Sequence, residues 1–359
     1  MAAGSDPAQD LTAVIHDPRA SLDPQPHDWP VLVTGAAGFV GGHIARHIAQ
    51  AGHYVRGLVR GQPPSCPDDP KIEWISGDVR DQAIRRRAVA GVRAVIHAAG
   101  WVSLGRDARG LSQAINVEAT RGLLDDAKRA RVERFVLTST LHTLATGTST
   151  NPADETSPWN LECVDSPYAR SKREAESLVR QASQGTFTTV ALCPGMVLGP
   201  RDPKPTSTRL LHVLARSRVA FLPRGGIPIV DARVLARAHR MALTAGRPGE
   251  RYAVAGPYLS YAELAGLVAE ITGRPRFIVP LPDMLERPLK AVASLLERLG
   301  LGAELSGATV AGGFLRLLVS GNRADVCFGL VHPPPLESIR SSLDVKSQGG
   351  GRDPRRRLG

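Results

Sequence analysis

Val31-Leu32-Val33-Thr34-Gly35-Ala36-Ala37-Gly38-Phe39-Val40-Gly41-Gly42-His43 is the stretch from which the fold is read. The apolar run Val31-Leu32-Val33 predicts a buried parallel strand, and it stops at Gly35, Gly38 and Gly41, which open a helical pattern. Strand, glycine turn and helix together make a phosphate cradle. Gly35 permits the tight turn, Gly38 lets backbone approach a pyrophosphate, and Gly41 lets the helix pack on the strand. The helix N-terminus adds N–H groups and a positive dipole. The spacing is G-x-x-G-x-x-G, not the commoner G-x-G-x-x-G.

Working outward, strands are expected at Tyr54 to Val59, Ile72 to Ile75, Ala94 to His97, Arg134 to Leu137 and Thr188 to Leu192, with helices between them, notably Leu111 to Ala130 and Ser166 to Gln184. This alternation implies βαβ units. The expected fold is α/β, a Rossmann-type doubly wound parallel sheet with a smaller, mostly helical C-terminal substrate-binding region. Ligands in such sheets bind beyond the carboxyl ends of the strands, so the segments after Val33, Val59, His97 and Leu137 converge on one crevice. Pro194 to Pro200 reads as a break in regular structure. Later helices are expected around Ser207 to Ser217, Arg233 to Ala245, Tyr261 to Thr272 and Pro282 to Leu299. The organisation read from this is a disordered leader at 1–28 and a dinucleotide-binding domain at 29–192 to which 228–257 returns. A substrate-binding region at 193–227 and 258–345 and a disordered basic tail at 346–359 complete it.

The bulk composition narrows the function. The chain has 359 residues, 45 Lys and Arg against 34 Asp and Glu, and 4% aromatics. Its net charge of +11 gathers partly in the tail and at Arg85-Arg86-Arg87, and no aromatics interleave with these arginines, so solvated faces are expected and not a nucleic-acid groove. Cys66, Cys163, Cys193 and Cys327 form no C-x-x-C pair, which argues against zinc or a disulfide framework and for a reducing compartment. Neither a signal peptide nor an apolar run of about 20 residues is read, so a cytoplasmic protein without stable membrane insertion is expected. Leu289, Val292, Leu295, Leu296 and Leu299 form an apolar helical stripe, read as core packing.

Tyr168-Ala169-Arg170-Ser171-Lys172 places a phenol and an ammonium four residues apart on one helix face. A phenol titrates near pH 10 and needs a neighbour that favours its ionised form to move protons near neutrality, so the pair reads as a proton relay. The hydroxyl-rich strand end Thr138-Ser139-Thr140 strengthens that reading.

With Gly77-Asp78-Val79, His97-Ala98-Ala99-Gly100, Asn116-Val117 and Pro194-Gly195-Met196-Val197-x-Gly199-Pro200, these motifs resemble the extended short-chain dehydrogenase/reductase family from about Trp29 to Asp344. Gly199-Pro200-Arg201-Asp202 and Gly249-Glu250-Arg251-Tyr252 resemble its dihydroflavonol-reductase-like branch, which includes proteins labelled hopanoid-associated sugar epimerases. The resemblance implies that Tyr168 transfers a proton at a carbonyl or alcohol oxygen and that Lys172 depresses the tyrosine pKa and holds the nicotinamide ribose. Thr140, with Ser139 as the alternative, would hydrogen-bond the same oxygen. Cofactor contacts are expected from Gly35, Gly38, Phe39, Val40, Gly41, Arg60, Asp78, Val79, Ala98, Ala99, Pro194 and Val197. His97 is expected to pack. Trp101 and His142 either touch substrate or pack.

The expected activity is reduction of a ketone to a secondary alcohol, or the reverse; the alternatives are a nucleotide-sugar epimerase and a non-catalytic cofactor-binding regulator. A dehydratase would carry Thr-Asp-Glu where Thr140-Leu141-His142 stands. The strand ending in Val59-Arg60 has no acid to hold a ribose 2′-hydroxyl, so NADP(H) is expected, with NAD possible and Arg60 pairing the 2′-phosphate. Leu192-Cys193-Pro194 and Gly225-Gly226-Ile227-Pro228-Ile229 lack the polar anchors that the resemblance leads one to expect for nucleotide sugars, although Arg201, Lys204 and Arg209 could form a different anion site. No metal site is read. A monomer or homodimer is expected. Val234 stands where the family pattern has a second Asp, which leaves the capping of that helix open.

Overall fold

The computed structural model describes residues 29–64, 70–102, 107, 109–203, 205, 208–299 and 306–343. The expected leader, the basic tail, Cys66 and Lys204 lie outside them. The first half is the alternation read from the sequence: β1 (Val31–Thr34), α1 (Phe39–Gln50), β2 (Val55–Val59), β3 (Ile72–Ser76), α2 (Gln82–Val89) and β4 (Ala94–His97). A π-helical turn (Ser112–Glu118) runs into α3 (Ala119–Arg129), followed by β5 (Arg134–Thr138), α4 (Pro167–Gln181) and β6 (Thr188–Pro194). Then come β7 (Met196–Leu198), α5 (Arg209–Arg216), β8 (Val219–Pro223), β9 (Gly226–Asp231), α6 (Ala232–Met241) and β10 (Glu250–Val254). The remainder is β11 (Tyr258–Ser260), α7 (Tyr261–Thr272), β12 (Phe277–Leu281), α8 (Glu286–Arg298), α9 (Gly307–Phe314), α10 (Asn322–Phe328) and α11 (Pro335–Leu343).

The main sheet has seven strands in the order β10-β6-β5-β4-β1-β2-β3, and every pairing in it is parallel. Strand order reverses between β1 and β4, which opens the crevice at their carboxyl ends. β1 is fully buried because both faces are covered: Val31 and Val33 join the cluster formed with α1 and α6, while Leu32 joins the opposite cluster with α3.

Two small sheets lie outside it, β11-β9-β7 and β12-β8. The first corrects the reading of 194–200 as irregular: Met196–Leu198 pairs in parallel with Ile229–Asp231. Proline and glycine on either side mask three strand residues whose partner is distant in sequence. The end of α6 is settled by Asp231, which accepts from Arg233 N at 2.8 Å and also takes the Ser338 hydroxyl, so the helix is capped although Val234 carries no acid.

Gly35 has φ +69, and a β-carbon there would lie 2.9 Å from Ala99 Cα. Gly41 is stricter, since its β-carbon would overlap the Gly35 carbonyl. That third glycine therefore serves the turn itself as well as helix-to-strand packing. We expect Gly41→Ala to destabilise the protein by at least about 1–3 kcal/mol, the scale of an overpacked site. Gly266→Ala, inside α7 with no neighbour within 4 Å, should instead add about 0.5–1 kcal/mol. Urea midpoints of the two variants check the contrast.

Candidate active site

The crevice is floored by the glycine turn. Gly38 caps α1 with extended backbone, and the first helical turn contains no acidic residue, so its N–H groups face outward without a competing carboxylate. Gly35 abuts Ala98 and Ala99 at the end of β4, and a β-carbon on Gly100 would come within 3.3 Å of Asn116 Oδ1 and 3.9 Å of Lys172 Nζ. A side chain at Gly35 would collide with the backbone of β4's end, and one at Gly100 would crowd Asn116. The residues present fit the group that the sequence implies.

Behind this floor runs a buried chain of hydrogen bonds. His97 Nδ1 meets Thr34 Oγ1 at 2.7 Å, and Nε2 meets Thr120 Oγ1 at 2.9 Å. Thr120 gives its proton to Asn116 O, so it must accept from Nε2–H, and Nδ1 must accept from Thr34. Both nitrogens are committed in one neutral tautomer, and burial pulls the imidazole down to about 3. His97 is packing and not a base.

Asn116, in the π-helical turn, ties the helix that carries Tyr168 and Lys172 to the β4 end. Its amide donates to Trp101 O at 2.9 Å and Ser171 Oγ at 3.0 Å, while Oδ1 accepts from Trp101 N at 2.7 Å. Ser171 in turn bonds Tyr168 O at 2.8 Å. Ser166 caps α4 through Ala169 N at 3.1 Å, with Pro167 in its first turn, so Tyr168 sits where the helix begins beside the crevice.

Tyr168, Lys172 and Thr140 are all buried there. The Thr140 hydroxyl favours the ionised form of the Tyr168 phenol, yet burial dominates and pushes it up to about 12. Lys172 donates to Thr138 O at 2.6 Å and is pulled down to about 8 by burial, with Glu176 opposing. In this structure the tyrosine is raised and not lowered, because desolvation outweighs the groups that favour the phenolate. The hydroxyl triplet divides cleanly: Thr140 faces Tyr168, and Ser139 turns away to donate to Glu176. His142 Nδ1 lies 3.3 Å from Thr140 Oγ1, with burial lowering its pKa. Trp101 is placed by its backbone bonds to Asn116.

Glu176 was not singled out in the sequence. It is buried, and its Oε2 also takes Thr143 Oγ1 at 2.6 Å and Cys193 Sγ at 3.3 Å, while Oε1 pairs with Arg251 Nη1 at 3.2 Å. Arg251 further holds Glu155 O at 2.8 Å and Thr143 O at 3.2 Å. The available signal was spacing: Tyr168, Lys172 and Glu176 fall on one helical face, and an acid on a face that packs inward needs a partner.

The residues expected at the adenine end are held by a separate set of contacts. Asp78 is gripped by Arg80 at 2.7 Å, which with Arg60 holds its carboxyl below the usual range. Arg60 is exposed at the end of β2. Arg85 corrects the expectation of a solvated arginine cluster: it is buried, pairs with Asp126 at 2.9 Å, and donates to Val79 O and Arg80 O, fixing the loop that carries Asp78 and Val79. Val197 is buried in β7 and Pro194 ends β6, both packed below the crevice. Among the described residues no group of His, Cys, Asp and Glu could hold a metal ion.

A glycine cradle at the switch point of a seven-stranded parallel sheet, with a Tyr-x-x-x-Lys helix beside a hydroxyl-bearing strand end, defines an extended short-chain dehydrogenase/reductase. Residues 31–255 match the NAD dependent epimerase/dehydratase family, and the chain belongs to that family. A putative dihydroflavonol 4-reductase from Synechocystis sp. is 32% identical over 253 residues, covering 68% of this chain and 73% of the relative. Sterol demethylase protein B from Methylococcus capsulatus is 30% identical over 274 residues, covering 74% and 82%. In three dimensions the protein gox2253 superposes with a TM-score of 0.76 at 29% identity, over 90% of this chain and 99% of the other. The NAD complex of Thermus thermophilus UDP-glucose 4-epimerase shares the fold, with a TM-score of 0.68 at 23% identity, over 89% and 100%.

The buried histidines give the fold a pH dependence. His97 titrates at about 3 and His239 at about 4, against about 6.5 unfolded, so below pH 6.5 the unfolded chain takes up protons that the native state refuses. Stability should fall as pH drops from 6.5 toward 4, each histidine adding about 1.4 kcal/mol per pH unit. His97→Gln should flatten that slope in urea unfolding between pH 6.5 and 5. An unchanged slope would exclude the assignment.

Proposed function

We propose that the protein is an NADP(H)-dependent oxidoreductase that interconverts a ketone and a secondary alcohol. The observation that carries this reading is the burial of Tyr168 beside the Thr140 hydroxyl, which favours its ionised form, with the Lys172 ammonium one helical turn further on. With its pyrophosphate held at the glycine turn, a nicotinamide cofactor would supply or accept the hydride. Thr140 and Tyr168 would each offer an O–H group to a substrate oxygen held between them, which polarises it. In the reducing direction Tyr168 gives its proton to that oxygen as negative charge develops. Lys172, cationic below about pH 8, favours the phenolate left behind and is placed by the Thr138 carbonyl beside Gly100. Burial keeps Tyr168 protonated until charge appears on the substrate.

The putative dihydroflavonol 4-reductase relative supports a reductase. Substrate chemistry supports it too. Cys193 is fully buried in β6 where a nucleotide-sugar enzyme would present an amide, and an unpaired diphosphate is costly to desolvate. A small, mainly apolar cyclic or polycyclic ketone or alcohol suits the site. At the adenine end, Arg60 stands close enough to Asp78 to lower its carboxyl, a position from which it pairs a ribose 2′-phosphate.

Tyr168→Phe should cut turnover about 100-fold or more and spare cofactor affinity, since only the transferable proton is lost. Lys172→Ala should harm both, and the wild-type rate of reduction should decline above about pH 8 as the ammonium deprotonates. Steady-state rates across ketones, with calorimetry for the cofactor, test these outcomes; epimerisation of a UDP- or dTDP-sugar without net NADPH consumption would overturn the reading. Arg60→Ala should weaken NADP binding about 10- to 100-fold and leave NAD binding unchanged. Equal affinities for both cofactors in wild type would remove Arg60 from the site.

A further inference from the structure

The apolar stripe read as core is on the outside. In α8 only Ala293 is buried. Leu289, Val292, Leu295 and Leu299 are exposed, Val292 to 55% and Leu295 to 56%. The side that carries Lys290 and Ser294 faces Gly307 of α9, so the stripe looks away from the protein. Helical periodicity is the same whether an apolar face is covered or bare, which is why the sequence could not separate the two.

A second apolar face precedes it in the chain. β8 and β12 pair in parallel, with Val219 opposite Phe277 and Phe221 opposite Val279. Their inward neighbours Ala220, Leu222 and Ile278 pack on α7, whereas these four point outward, Phe221 exposed to 65% and Phe277 to 77%. Met284 and Leu285, in the turn that joins β12 to α8, are exposed as well. α9 touches both β8 and α8, so the two faces flank one support.

The segments that carry these faces are basic. Between residues 208 and 224 stand four arginines and no acid, and between 274 and 299 five Lys or Arg against three Asp or Glu. Arg218, Arg287 and Arg298 are exposed, with no carboxylate in ion-pair reach among the described residues.

We propose that the face formed by α8 and the outer side of β8-β12 docks on the surface of a membrane rich in anionic lipid. The apolar side chains enter the headgroup boundary, and the exposed arginines meet lipid phosphates. Long arginines at the edge of an apolar patch can keep their stems in it and their heads in the polar layer. A second copy fits less well, because a two-fold contact would set the same basic segments against themselves. No helix of the described residues is long and apolar enough to cross a membrane, so contact is with one leaflet. The inference stands independently of the substrate proposed above.

The test uses the full chain and vesicles of equal parts phosphatidylglycerol and phosphatidylcholine. Wild type should sediment with them, at least tenfold less with phosphatidylcholine alone, and less as salt is raised. The double variant Val292→Glu, Leu295→Glu alters only exposed positions. It should lower partitioning at least tenfold with an unchanged melting curve, and Arg287→Glu, Arg298→Glu should do so on anionic vesicles only. Failure of wild type to bind, or equal binding by the variants, overturns the proposal. So does a concentration-dependent dimer abolished by Val292→Glu, Leu295→Glu without vesicle binding, which would assign the face to a second copy.

Discussion

A carbonyl oxygen occupies the place where a side chain at residue 41 would begin. Because Gly41 accepts that contact, α1 starts directly above the end of β1, and its free N–H groups point into the crevice. Because Gly35 adopts φ +69 against Ala99, the turn also touches the end of β4, the other strand of the switch point. Floor and side wall of the crevice are thus fixed by two residues without side chains, and the buried Thr34–His97–Thr120 chain joins the two strands beneath them without any net charge.

Charge enters the site through α4. Lys172 and Glu176 lie one turn apart, both buried, and each is answered by a group from the strands behind. A buried ion pair such as Glu176 with Arg251 is weak evidence of stabilisation, since desolvation offsets much of its attraction. Its geometric effect is clearer. With Ser139 and Thr143 also turned toward Glu176, the strand end has one hydroxyl left to face Tyr168, that of Thr140.

Legibility followed the range of the forces. β1, β4 and β5 were readable because continuous apolar runs between glycine and polar segments have few alternatives in an α/β chain. Tyr168 and Lys172 were readable as a pair because helical spacing alone puts them on one face. What escaped depends on distant partners. Met196–Leu198 becomes a strand only because Ile229–Asp231 lies beside it, and Ser139 turns to Glu176, thirty-seven positions on. Residues 112–118 were read as ordinary helix, whereas a π-helical turn sets Asn116 between Trp101 and Ser171. Leu295 was misplaced for the opposite reason, since periodicity shows that a face is apolar and not what covers it. Arg85 looked like part of a solvated run until Asp126 was seen opposite it.

Arg251 joins segments made at very different times. It reaches Glu176 across 75 positions and Thr143 across 108, and it arrives on β10, the edge strand that completes the sheet. A nascent chain can therefore form the glycine turn while the helix that carries Tyr168 still lacks the guanidinium that neutralises Glu176. Contacts of such long sequence separation form slowly, because loop closure must precede any gain from them. During synthesis the glycine turn would be complete before the contacts that close around Glu176, and a ligand already seated could bias the remaining folding toward the native register.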